Sequence, residues 1–88
     1  MDTYAFALCK SGKYKQAKEL LYSAIGIIEK DNIELPWDLV NHLAMAYEGL
    51  SEIQEAKENY EKALKLTDDN VSKKDKDELI AAIARVSN

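Results

Sequence analysis

Val40–Thr67 reads VNHLAMAYEGLSEIQEAKENYEKALKLT, and this stretch decides the fold. It contains two apolar patterns of helical period, joined at Gly49–Ser51. Leu43, Ala44 and Tyr47 share one face of the first. Ala56, Tyr60, Ala63 and Leu64 share one face of the second. Alanines alternate with large rings, so two helices bearing these faces can approach closely and interdigitate. A helical hairpin is therefore expected here, with the rest of the chain extending or capping it.

Composition agrees. The 88 residues are enough for one domain at most. Little Gly or Pro and no alternating β-branched runs point to an all-α fold. A net charge of −4 with acids spread along the chain disfavours nucleic acid, which needs a basic patch. Lys10, Lys13, Lys15 and Lys18 form a local basic cluster that reads as a solvated helix face. A single cysteine, Cys9, cannot close an internal disulfide, which fits a reducing, cytoplasmic setting. No run approaches the ~20 apolar residues of a membrane span. The segment after Met1 makes a poor signal peptide, with Asp2 at its start and only a short apolar run.

In chain order, residues 2–11 read as a short helix with Tyr4, Ala5 and Leu8 on one face, ended at Ser11–Gly12. A longer helix follows from Tyr14 to about Lys30, with Ala17, Leu20, Leu21, Ala24, Ile25 and Ile28 inward. Gly26 inside it costs ~1 kcal/mol relative to Ala, and a close neighbouring backbone would account for it. Pro36 suits the start of the next helix. Ser51 and Gln54 have the spacing of a capping box for the fourth helix. Glu58–Lys62 and Glu61–Lys65 are spaced for ion pairs, and the acidic series Glu52, Glu55, Glu58 and Glu61 reads as a solvated face. Ser72 opens a fifth helix with Leu79, Ile80, Ile83 and Val86 on its apolar side.

The halves repeat. Setting Gly12 on Ser51, an offset of 39 residues, places Ala5 on Ala44, Leu8 on Tyr47 and Tyr14 on Ile53. Ala17 falls on Ala56, Leu21 on Tyr60 and Ala24 on Ala63. A period in this range marks stacked supersecondary units. With small residues at three positions and bulky ones between, the sequence resembles the tetratricopeptide repeat family. The resemblance is closest at Leu43–Ala44, Tyr47, Ala56, Tyr60 and Ala63. The spacing exceeds the family's period of about 34 residues, Val40 stands for the motif's early Trp, and Asp68 for its closing Pro.

The resemblance implies an α-α superhelix within a single domain, residues 1–88. Its repeats would span about 1–35 and 36–70, with a capping helix at about 72–87. Arrays of this kind usually need about three repeats. Two explanations are open: a piece of a longer array, or a homodimer through the face of Tyr4, Phe6 and Leu8. By position the family's concave groove would be lined by Phe6, Cys9, Lys10, Asp38, Asn41, His42, Met45, Glu48 and Gly49. Its mixture of apolar and polar groups suits a peptide or a partner helix. The carboxylate clamp of chaperone-adaptor members is missing, since Asp2 and Phe6 hold its first-helix positions.

His42 lacks further ligands at metal spacing, and Cys9 lacks a local catalytic partner; it suits a small apolar filler. Trp37 is either a partner-binding aromatic or a residue packed beneath the linker against Ile33. No phosphate loop, metal pattern or nucleophile motif is present, so neither catalysis nor a cofactor is expected. The expectation is a non-catalytic protein-interaction module with a protein or peptide partner. The alternative is an oligomerisation or spacer segment of a larger repeat protein.

Overall fold

The computed structural model describes residues 12–31 and 34–87. Among these are four α-helices and no strand: α1 (Tyr14–Lys30), α2 (Trp37–Gly49), α3 (Ile53–Leu66) and α4 (Lys73–Val86). The helix expected over 2–11, the dimer face of Tyr4, Phe6 and Leu8, and Ile33 lie outside the described residues.

Each helix follows from its apolar spacing. On α1 the buried residues are Ala17, Leu21, Ala24 and Ile25, one stripe at successive helical turns. On α3 they are Ala56, Tyr60 and Ala63. Three pairs equated at the 39-residue offset, Ala17 with Ala56, Leu21 with Tyr60 and Ala24 with Ala63, therefore reach the same depth on α1 and α3, whereas Ile53 is more exposed than its counterpart Tyr14. The central helix α2 differs, burying Leu39, Val40, Leu43, Ala44 and Ala46 around a broad arc because it packs against both α1 and α3. Ala17 and Ala46 meet in a small cluster of their own between α1 and α2, with Tyr14 and Leu20 beside them. α4 packs on α3 and contributes Leu79, Ala82 and Val86 to the main core.

The α2–α3 turn corrects one expectation. Ser51 does not cap α3. It has a positive φ of 63° and closes α2 instead. Its N–H donates to the Glu48 carbonyl at 3.0 Å, and the Glu52 N–H donates to the Tyr47 carbonyl at 2.9 Å. This paired bonding is the Schellman ending of a helix, which satisfies carbonyls that would otherwise be orphaned. Glu52 then precedes α3 with no side-chain cap, and Gln54 donates to Glu58 at 3.2 Å rather than turning back to the turn. Gly12, equated with Ser51 by the repeat, also has a positive φ, 81°. Ser72 does cap α4, accepting from the Asp75 N–H.

Other local readings change too. Lys62 reaches across to Glu29 of α1 at 4.0 Å instead of pairing with Glu58. Glu52 leaves the solvated acidic face to meet Lys18 at 3.3 Å, and the same ammonium lies 5.6 Å from the centre of the Tyr47 ring. Ile80 is 53% exposed, so the inward face of α4 runs through Leu79, Ala82 and Val86.

Two glycines have opposite surroundings. A Cβ on Gly26 would meet nothing within 4 Å, so no close backbone accounts for it. A Cβ on Gly49 would run into the Tyr14 ring. Gly26→Ala is expected to stabilise the fold by about 1 kcal/mol through helix propensity. Gly49→Ala is expected to destabilise it by about 1–2 kcal/mol through overpacking. Urea unfolding of the two variants checks both signs.

Candidate functional site

A cleft of about 500 Å³ opens between α2 and α4, with Tyr60 of α3 at its base. Helical spacing builds both walls. Positions 37/38, 41/42 and 45 recur one turn apart on α2, bringing Trp37, Asp38, Asn41, His42 and Met45 onto one side. On α4, Asp75, Glu78, Leu79, Ala82 and Arg85 recur in the same way. The neighbouring sides of both helices are spent on the core, so these residues are left facing each other across the opening. Trp37 and Met45 are half-buried and pack against the core from the cleft side.

One polar junction ties three helices together at the cleft. Arg85 of α4 donates from Nε to Glu48 Oε2 at 2.6 Å and from Nη2 to Oε1 at 2.7 Å. The Tyr60 hydroxyl of α3 donates to the same Oε1 at 2.8 Å. A guanidinium fork on a carboxylate fixes orientation as well as charge. Tyr60 is only 1% exposed, and its ring needs a partner for its hydroxyl at that depth.

The ionisations follow from these contacts. The Arg85 hydrogen bond, reinforced by the Tyr60 hydroxyl, holds the Glu48 carboxyl below its ordinary value against the opposing effect of burial. Burial and the Glu48 charge push the Tyr60 phenol well up, so it stays neutral. Glu48 raises Arg85 further. Among the described residues no group of three or more His, Cys, Asp or Glu is arranged to hold a metal, and no helix is long and apolar enough to cross a membrane.

The residues expected to line a groove distribute as follows. Asp38, Asn41, His42 and Met45 come together in the cleft. Glu48 stands at its edge through Tyr60 and Arg85. Gly49 lies at the end of α2 beside Tyr14, outside the cleft lining. Phe6, Cys9 and Lys10 lie outside the described residues.

Helical spacing alone does not reveal the α4 wall. Arg85 and Glu48 are 37 residues apart, and the pattern on α4 shows which side is apolar but not which helix its polar side reaches. The one available signal was the stripe Asp75, Glu78, Ala82 and Arg85 at helical spacing beside the apolar face. Trp37, left open between a partner-binding aromatic and a residue packed beneath the linker, lines the cleft.

Residues 38–70, which take in α2 from its second residue, the turn and α3, match the family model described as tetratricopeptide repeat. No curated protein and no solved structure is significantly similar to the chain.

The junction generates a pH dependence. A carboxyl depressed on folding adds stability at pH values above its unfolded value, and that stability is lost as pH falls through the folded one. Glu48→Gln is expected to cost about 1–2 kcal/mol at neutral pH, a hydrogen-bonded charge pair discounted for the exposure of Arg85. The gap to the unmodified chain should close as pH falls below the carboxylate range. Denaturant unfolding of both chains from neutral pH to about pH 3, below the ordinary carboxyl value, measures it.

Proposed function

We infer from the tetratricopeptide repeat at residues 38–70 that the chain is a protein-interaction module and that the α2–α4 cleft is where its partner docks. In this reading residues 1–88 form one domain with helix pairs at about 1–35 and 36–70, stacked as in an α-α superhelix, and α4 closes the stack. The observation that carries the reading is the cleft itself: the side of α2 left over from core packing faces an open space of about 500 Å³.

The division of labour follows from chemistry. Met45 and Trp37 offer apolar surface, which supplies affinity. Asn41 offers hydrogen-bonding groups, which fix the register of an extended peptide or a helix, and His42 lies beside it on the same wall. Glu48 acts on the partner only indirectly, by holding Arg85 and so the position of α4. The reading assigns no catalysis, cofactor or metal. It extends the groove to Phe6, Cys9 and Lys10 by the family's spacing.

A second reading is a spacer or self-association segment. The apolar patch of Ile80 and Ile83 with Leu64, on a different side of α4, favours it as a surface for further repeat packing.

The test is selection of random displayed linear peptides on the 88-residue chain. Asn41→Ala combined with Met45→Glu should abolish binding of the selected peptides while circular dichroism shows unchanged helix. Both substituted residues are only half-buried, so the fold should tolerate them. Peptides that bind the double variant as well as the parent would place the docking surface elsewhere.

A further inference from the structure

Resting on the cleft as the docking site, we propose that its occupant is a peptide segment that presents a lysine or arginine flanked by an apolar residue. The charges around the opening decide this. Asp38 enters from α2, and Asp75 and Glu78 enter from α4, so carboxylates face one cavity from both walls. The one Arg or Lys in the lining, Arg85, is committed to Glu48 through two donors at 2.6 and 2.7 Å. Its charge is thereby cancelled within the protein. No ion pair among the described residues reaches Asp38, Asp75 or Glu78.

The cleft therefore carries uncompensated negative charge beside apolar walls. An incoming carboxylate would meet like charge at close range, which disfavours acidic partners. A lysine or arginine matches both features. Its methylene stem lies on the Trp37 and Met45 surfaces while its head remains among the carboxylates at the rim. A neighbouring apolar side chain of the partner then enters the cleft toward Tyr60. The chain's overall charge of −4 adds long-range attraction for the same class of ligand.

The experiment sequences the displayed peptides selected on the full chain and measures the binding of one synthetic winner. Lysine or arginine next to an apolar residue should be enriched over the input library, and binding should weaken as salt is raised. Asp75→Asn with Glu78→Gln should weaken the winner by about three- to tenfold, since exposed charge pairs are individually modest. These neutral substitutions leave the Ser72 cap on the Asp75 backbone in place. Asp75→Lys with Glu78→Lys should shift selection to acidic peptides.

Winners without basic enrichment, or with equal affinity for the neutralised variant, overturn the proposal. If those same winners are lost on Met45→Glu, the cleft remains the docking site and only the charge preference falls. Winners insensitive to Met45→Glu, or no winners at all, overturn the docking site with it.

Discussion

Five alanines with no exposed surface, Ala17, Ala44, Ala46, Ala56 and Ala63, set the distance at which the helices lie. Helix axes in globular folds are about 8–10 Å apart, and the side chains at the contact decide where in that range they fall. Alanine is among the smallest side chains such a contact can hold, so these residues favour close approach of α1, α2 and α3. The larger residues then have fixed spaces to fill. Tyr60, the largest fully buried side chain among the described residues, fills the space between the alanines one turn to either side of it on α3. From there its hydroxyl reaches Glu48, and through Glu48 the guanidinium of Arg85.

The cleft is a consequence of this packing rather than a separate construction. α2 spends most of its circumference on its neighbours, because it lies against both α1 and α3. What remains is a narrow strip through Asp38, Asn41, His42 and Met45. α4 stands opposite that strip because Leu79, Ala82 and Val86 anchor it to the core and Arg85 anchors it to Glu48. The same junction that positions the wall removes its positive charge. Geometry and electrostatics of the opening thus come from one set of contacts.

Much of this was legible in the residues. Periodicity located the helices of the described segments, and the alternation of alanine with large side chains marked Ala56, Tyr60 and Ala63 as inward. Four of the groove positions assigned by family spacing share the cleft. The failures have a physical pattern. Serine suits a helix N-terminus, whereas the left-handed ending of the preceding helix is usually glycine's, so nothing beside Ser51 announced that it takes the second place. Gly26 invited a close contact that is not there, while Gly49, read only as a turn and groove residue, is the one that has it. Ile80 continued an apolar pattern yet faces water. The α4 wall depended on a contact 37 residues away, which local spacing does not encode.

The most direct measurement of the central claim is urea unfolding of Ala56→Leu beside Ala84→Leu. Ala56 is fully buried in the core, and Ala84 is exposed on α4. If close approach at alanine sets the architecture, the larger side chain at 56 should cost about 1–3 kcal/mol or more, while the same change at 84 leaves the midpoint nearly unmoved. An Ala56→Leu chain that unfolds at the same urea concentration as the parent would contradict it, because the helices would then have room that a tight seam denies them.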